Sequence, residues 1–166
     1  TGDEEEYDFH LLPFPTNSWE YGETAHLPWL QALPDPITTA VWTTWVELNP
    51  NRAEEMGVVL GDMVRIESPS GSIEVPVYIN PAAPPNVAAV PIGQGHTDFT
   101  RYAEERGANP IEIVAAQTES ETGALAWAAT RVRIEPIDQR IRFPRFERQL
   151  PFQLEDNPVV QVTRDA

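Results

Sequence analysis

The segment with the clearest capacity for chemistry is Gly93-Gln94-Gly95-His96-Thr97. Its two glycines permit a backbone to approach a ligand closely, and the histidine and threonine add donors suited to a phosphate. A helix predicted from about residue 98 to residue 106 would follow and present its free amide groups to an anion. Arg101 and Tyr102 in that helix would add charge and a stacking surface, unless Arg101 pairs with one of the many acidic residues, which is an equally good interpretation. A tight turn without a ligand explains the two glycines equally well, so both interpretations stay open here.

Other kinds of chemistry find little support in the residues. The three histidines, His10, His26 and His96, lie far apart without metal-ligand spacing, which favours polar or structural roles. The serines within residues 68–72 lie in a predicted hairpin turn rather than a strand-to-helix elbow. Cysteine is absent, which excludes disulfides, thiolate metal sites and iron–sulfur ligation by this chain. We therefore predict no catalytic residue and no metal site in it.

The charge of the chain is strongly one-sided. It has 26 acidic residues against 11 basic ones, a net charge of −15, and every basic residue is an arginine. Such a surface repels phosphate backbones and anionic lipid headgroups, which argues against nucleic acid or a membrane surface as a partner. No apolar run approaches the ~20 residues of a membrane span, so no direct membrane insertion is expected. A GC-rich genome or a saline habitat accounts equally well for the arginine usage and the acidity.

The elements that would position these residues are mostly strands. The chain has 166 residues, 41% of them hydrophobic, which is enough for one domain with a substantial core. Its 17 scattered prolines favour strands and loops over a helical bundle. A helix is predicted to begin at Asn49-Pro50, with the asparagine as its cap, and to end at Gly57. Alternating or apolar runs predict strands at residues 7–15, 45–48, 63–67, 73–79, 87–92 and 126–134.

Three segments fall outside these elements. Residues 1–6 are acidic and are expected to form a disordered leader. Residues 16–36 form a loop rich in apolar and aromatic residues, of the kind that packs on a partner or lines a cleft. Residues 137–166 have no clear period, and we predict an extended tail that docks on this domain or on a neighbour. The domain proper is therefore expected over residues 7–136.

Several motifs follow one another in a particular order along this domain. They are His26-Leu27-Pro28-Trp29-Leu30-Gln31, Leu33-Pro34-Asp35-Pro36, Trp45-Val46-Glu47-Leu48-Asn49-Pro50, Met56-Gly57, Gly61-Asp62-Met63-Val64, Ser68-Pro69, Pro91-Ile92-Gly93-Gln94-Gly95-His96 and Arg106-Gly107-Ala108-Asn109-Pro110. The combination resembles the molybdopterin dinucleotide-binding domain of the molybdopterin oxidoreductase family. Its upstream part, residues 26–36, is similar to the large iron–sulfur/molybdopterin-like subunit of alternative complex III and its polysulfide-reductase relatives.

This resemblance implies a fold and a ligand. The implied fold is mainly β with short helices, a six-stranded double-psi β-barrel with an extended C-terminal tail. Such a domain covers one end of a molybdopterin guanine dinucleotide cofactor, while other domains or subunits hold the metal ligand and the iron–sulfur clusters. Carried over by position, the implied contacts to the cofactor are Tyr21, Gly22, Gly93, Gln94, Gly95, His96, Thr97 and Asn109.

The resemblance also implies a setting for the chain. We expect a cofactor-cleft domain of a quinol-oxidising respiratory complex like alternative complex III, not catalytic alone and located on the periplasmic face of a bacterial membrane. Its partners would be the remaining domains of the parent oxidoreductase and neighbouring subunits. Because the alternative complex III subunit lacks the molybdenum cofactor, a second hypothesis is a structural docking module with an empty pterin site. That module would bind its partners through the loop at residues 21–29 and the tail at residues 143–152.

Overall fold

Six strands form the framework of the computed structural model, which describes residues 1–146. The strands are β1 (Phe9–Phe14), β2 (Val46–Leu48), β3 (Asp62–Ser68), β4 (Gly71–Ile79), β5 (Val87–Pro91) and β6 (Arg131–Arg140). The connections contain three short helices and one 3-10 turn, which are α1 (Pro28–Gln31), α2 (Pro50–Met56), α3 (Thr100–Ala103) and the turn Pro110–Ile113.

Two parallel strand pairs define the topology. The strands close into a barrel in the order β1, β5, β2, β4, β3, β6. β1 is parallel to β5 and β2 is parallel to β4, whereas the other neighbours are antiparallel. Since parallel partners need long crossover connections, the two halves of the chain interleave. The predicted fold class, a mainly β, six-stranded double-psi β-barrel, is confirmed.

Alternating side chains along the strands fill the barrel. On β4, Ile73, Val75 and Val77 are buried as the sequence pattern predicted, and on β3 Val64 and Ile66 are fully buried. Removing each such side chain from water stabilises the fold by roughly 1.5–3 kcal/mol. Because aliphatic side chains occupy the interior, any ligand site has to lie among the loops outside it.

The helix α2 follows its sequence signals closely. The Asn49 side chain accepts a hydrogen bond from the Asn51 N–H at 3.0 Å, which caps the first turn beside Pro50. Gly57 ends the helix with φ of 70°, a conformation that glycine adopts without steric cost. The predicted helix at residues 49–57 is confirmed.

The closing strand differs from its prediction. It was predicted at residues 126–134, but β6 begins at Arg131, where it pairs with His10 of β1, and ends at Arg140. Its far end is fixed by β3, because Arg140 pairs with Asp62 and its Nε lies 3.2 Å from the Asp62 carboxylate. The predicted end of the barrel at residue 136 is therefore wrong, since residues 137–140 complete a barrel strand.

The first part of the predicted tail also packs on the barrel. The Val41 N–H donates to the Pro144 carbonyl at 3.0 Å. Phe143 is buried in a second apolar cluster with Trp45, and its ring centroid lies 5.8 Å from that of Tyr78. Residues 137–146 thus complete this domain. The rest of the predicted docking tail, residues 147–166, lies outside the described residues.

The acidic leader has contacts with β6 in the structure. The Arg131 N–H donates to the Thr1 carbonyl at 2.9 Å, and the Arg131 guanidinium lies 2.9 Å from the Glu4 carboxylate. The Tyr7 N–H then donates to the Asp3 carbonyl at 2.8 Å, which closes a turn. The segment that we expected to be a disordered leader is therefore held against β6 by Arg131, whose guanidinium attracts its acidic side chains.

Candidate functional site

Three loops at one end of the barrel meet around an open cleft of about 600 Å³. The first loop follows β1, the second follows β5, and the third enters the 3-10 turn at Pro110–Ile113. The lining residues are Tyr21, Gly22, Glu23, Gly95, His96, Thr97, Asp98, Phe99, Asn109 and Glu112.

The cleft brings together residues that are far apart in the sequence. Of the eight residues named from the sequence, six line it, and these are Tyr21, Gly22, Gly95, His96, Thr97 and Asn109. The other two, Gly93 and Gln94, lie behind its wall and are buried. The structure therefore brings the three loops that carry these residues together around one cleft.

Close packing between the loops explains two of these glycines. Gly95 has φ of 85°, and a Cβ atom there would collide with the Asn109 backbone nitrogen. At Gly22 a Cβ atom would lie 3.1 Å from the His96 Nε2 atom. Both glycines thus allow one loop to approach another. At Gly95 this contact between loops stands beside the close approach to a ligand that the sequence suggested for Gly93 and Gly95.

Gln94 supports the cleft from behind rather than lining it. Its Nε2 donates to Gln31 Oε1 at 2.6 Å, and the Gln31 Nε2 donates to Gln94 Oε1 at 3.3 Å and to the Ala25 carbonyl at 2.8 Å. Both side chains are almost completely buried. Since buried amides are costly unless they are hydrogen-bonded, this pair fixes the loop after β5 against α1.

An aromatic wall forms one side of the cleft. The Phe99 ring lies between two histidine rings, with centroid distances of 5.0 Å to His96 and 5.1 Å to His26. The His96 Nε2 atom is 3.2 Å from the Gly93 carbonyl oxygen, a contact that requires the proton on Nε2. In the neutral ring, Nδ1 of His96 is then an acceptor.

Two further groups offer hydrogen bonds to the cleft. Asn109 accepts the Ile111 N–H through its Oδ1 at 3.1 Å, and its amide NH₂ group has no hydrogen bond within residues 1–146. Tyr21 is 64% exposed at the mouth, where its phenol is accessible as a donor and acceptor. The cleft therefore combines a stacking surface with neutral polar groups.

No arginine of residues 1–146 lines the cleft. The predicted helix at residues 98–106 is shortened to the single turn α3, which offers no anion site at its N-terminus. Arg101 donates to the Tyr102 hydroxyl at 2.5 Å, and the Arg106 guanidinium lies 5.4 Å from the Trp42 ring centroid. Neither arginine lines the cleft. The expectation that Arg101 adds charge to the site is not met.

Four lining residues were not named from the sequence, namely Glu23, Asp98, Phe99 and Glu112. Glu23 and Asp98 directly follow residues that were named, and Phe99 comes next after Asp98, so the neighbourhood gave a signal for them. Glu112, three residues after the named Asn109, reaches the cleft through the 3-10 turn at Pro110–Ile113, which the sequence did not predict. The three carboxylates are exposed and make no ion pair with any described residue.

Two further features, a metal site and a membrane-spanning helix, were sought in residues 1–146 and are absent there. No group of three or more histidine, aspartate or glutamate side chains in this part of the chain is arranged to hold a metal ion. Within the same residues, no helix has the length and apolar character needed to cross a membrane.

The chain is similar to proteins of one known family. Residues 32–138 match the family model described as "Molydopterin dinucleotide binding domain". The menaquinone reductase molybdopterin-binding-like subunit of Nitratidesulfovibrio vulgaris is 32% identical over 90 residues, which is 54% of this chain and 13% of that protein. The arsenate respiratory reductase molybdopterin-containing subunit of a Shewanella species is 29% identical over 144 residues, covering 82% of this chain and 17% of that protein.

Among solved structures, acetylene hydratase from Pelobacter acetylenicus has a similar fold. It superposes with a TM-score of 0.61 at 17% identity, over 80% of this chain and 19% of that one. This likeness concerns the fold alone. In every one of these comparisons the chain spans less than a fifth of the relative's length.

Proposed function

The chain belongs to the molybdopterin dinucleotide-binding domain family, and on that premise we propose that it covers a pterin dinucleotide in a respiratory oxidoreductase. It has no catalytic role alone. The observation that carries the proposal is the cleft in which Tyr21, His96 and Asn109 meet from three loops. The upstream resemblance and the relative named a menaquinone reductase subunit support a quinol-oxidising complex like alternative complex III. Its proposed setting is the periplasmic face, beside the remaining domains of the parent and neighbouring subunits.

The ring systems of such a cofactor fit the cleft. Planar heterocycles stack on aromatic side chains, and Phe99 with His96 provides that surface. The free amide of Asn109 and the phenol of Tyr21 suit the polar edge of a pterin or a guanine. These residues would hold and orient the rings and exclude water from one side. The cofactor, when bound, supplies the redox chemistry.

The phosphates of the cofactor fit less well. Glu23, Asp98 and Glu112 line the cleft, and none of the arginines in the described part of the chain lines it. Two unit charges about 4 Å apart in water interact by roughly 1 kcal/mol, so each carboxylate opposes a nearby phosphate. Neutralisation of the diphosphate would have to come from outside residues 1–146, in the parent protein.

A second candidate function follows from the same carboxylates. A docking module with an empty pterin site needs no phosphate-binding charge, and it needs apolar surface for its partners. Trp29 is 67% exposed, Ile37 is 71% exposed and Leu33 is 45% exposed, all in the loop after β1 or just beyond it. These three exposed apolar side chains lie in one short stretch of the sequence, and exposed apolar surface is typical of protein interfaces.

Calorimetric titration of the full chain with extracted pterin dinucleotide separates the two candidates. Binding that is weakened by Asn109→Ala and unaffected by Asp138→Asn, an exposed change on β6, supports the cofactor role. No heat at millimolar ligand, with an unchanged circular dichroism spectrum, rejects the cofactor role and favours docking.

A further inference from the structure

Thr44 lies two residues before β2, is completely buried and does not line the cleft. Its hydroxyl nevertheless bonds to the loop that carries Asn109. Resting on the proposed cofactor role, we propose that Thr44 is a positioning residue of the site, which holds the Asn109 side chain where it can bind the ligand. Thr44 itself touches no ligand and acts only through Asn109.

The Thr44 hydroxyl holds both backbone groups of a single loop residue. Its Oγ1 atom accepts the Ala108 N–H at 3.1 Å and donates to the Ala108 carbonyl at 2.9 Å. A threonine hydroxyl has one proton and two lone pairs, so it can form both bonds at once. Because Thr44 is completely shielded from water, the loss of its hydroxyl would remove this partner from both groups of Ala108.

The same loop packs directly against Thr44. Gly107 has φ of 58°, and a Cβ atom there would collide with the Thr44 hydroxyl oxygen and lie 2.6 Å from the Thr44 backbone nitrogen. Only a glycine allows the loop to come this close. The positions of Gly107 and Ala108 are therefore set by a residue outside the cleft lining.

A planar peptide group carries this constraint to Asn109. The Ala108 carbonyl and the Asn109 N–H belong to one peptide unit, which is rigid. The Asn109 backbone nitrogen in turn lies against Gly95, where a Cβ atom would collide with it. The Asn109 side chain accepts the Ile111 N–H through its Oδ1, and its NH₂ group remains available to the cleft. A rotation of the Ala108 carbonyl therefore displaces the amide that the proposed function requires.

Binding of extracted pterin dinucleotide to variants of the full chain tests this role. Thr44→Val keeps the shape of the side chain and removes the hydroxyl, so it should weaken binding by about ten-fold, which corresponds to the loss of one hydrogen bond. Thr44→Ser keeps the hydroxyl and should restore most of the affinity. Thr38→Val is the matched control, because Thr38 is also buried and its hydroxyl also forms two hydrogen bonds, with the Asp35 carboxylate and the Ala40 N–H. Neither partner lines the cleft, so this variant should lose stability and retain its affinity.

A double variant separates positioning from general stabilisation. If Thr44 acts through Asn109, then Thr44→Val/Asn109→Ala should bind the pterin dinucleotide as weakly as Asn109→Ala alone, because the second change has nothing left to displace. Losses of affinity that add up in the double variant contradict the proposal, and so does an equal loss of affinity in Thr38→Val and Thr44→Val.

Hydrogen exchange in the ligand-free chain gives a test that needs neither a ligand nor a variant that folds. The Ala108 N–H should exchange slowly in the unsubstituted protein and in Thr44→Ser, and faster in Thr44→Val. Rapid exchange in the unsubstituted protein overturns the proposal. If the unsubstituted protein and Thr44→Val bind pterin dinucleotide equally well, only this inference fails. If the unsubstituted protein does not bind it, the cofactor role fails and this inference falls with it.

Discussion

Gln31 and Gln94 join two loops through a reciprocal pair of buried amides. Each side chain donates to the other, at 2.6 Å and 3.3 Å, and both are almost fully shielded from water. Gln31 is the last residue of α1, two residues after the exposed Trp29, and Gln94 is buried behind the cleft wall, two residues before His96. The pair therefore connects the apolar surface of the first loop to the wall of the candidate site.

Breaking this pair should destabilise the protein. Gln94→Leu leaves the Gln31 amide without one of its partners, which costs about 1–3 kcal/mol. Urea unfolding should show a smaller loss for the double variant Gln31→Leu/Gln94→Leu than the sum of the two single losses. Gln139→Leu, at an exposed position on β6, serves as the control and should change stability by less than about 0.5 kcal/mol. Additive losses would mean that the two amides are not coupled.

Gly95→Ala should be far more damaging than Gly123→Ala. Both glycines have positive φ, 85° and 70°, so both substitutions strain the backbone. At Gly95 the new methyl group would also collide with Asn109, whereas at Gly123 nothing lies within 4 Å. We expect a strain cost of about 1 kcal/mol at both positions and about 2 kcal/mol more at Gly95. Thermal melting of the two variants measures this difference, and equal melting temperatures would refute it.

Phe143→Ala should lower stability by about 3 kcal/mol, as expected for a buried aromatic side chain. The ring packs beside Trp45 and Tyr78 in the second apolar cluster. Phe146→Ala is the matched control, because that ring is 74% exposed, and its effect should stay within about 0.5 kcal/mol. Chemical unfolding of both variants shows whether the segment after β6 stabilises the barrel. Equal losses of stability in Phe143→Ala and Phe146→Ala would mean that this segment does not contribute to the core.

Alkaline pH should destabilise the protein through Tyr7. Burial raises the pKa of its phenol, and the negative charge of Glu6 raises this pKa further. A raised native pKa means that the stabilisation is complete below the ordinary tyrosine pKa and is lost as pH rises through the native value. Lysine and cysteine, whose side chains would also lose protons at alkaline pH, are absent from the chain. The free energy of unfolding, measured from pH 8 to 11, should fall less steeply with pH for Tyr7→Phe than for the unsubstituted protein. An identical pH profile for the two proteins would exclude this role of Tyr7.

Local signals predicted the elements that depend on neighbouring residues. The helix α2 was predicted because its cap Asn49, its Pro50 and its terminal Gly57 all lie within one short segment. The β3–β4 hairpin was predicted for the same reason, from alternation and a turn. The fold itself came from a resemblance of ordered motifs rather than from local pattern.

The sequence did not predict features that depend on residues far away along the chain. The start and end of β6 depend on its register with β1 and β3, which its own sequence does not encode. Gln94 looked like a ligand contact because its partner, Gln31, is distant in sequence. Glu112 lies three residues after the predicted contact Asn109, but it reaches the cleft through the 3-10 turn at Pro110–Ile113, which the sequence did not predict.

The interleaving of the strands has a kinetic consequence. β1 gains no strand partner until β5 has been synthesised, and its second partner comes only with β6, because His10 pairs with Val87 and Arg131. Contacts of such long sequence separation raise the contact order and slow folding, since loop closure has to precede them. Before β6 pairs with them, β1 and β3 each have an unpaired strand edge, and such edges promote aggregation between chains. Refolding should therefore be slow, and it should be limited by the formation of the last strand.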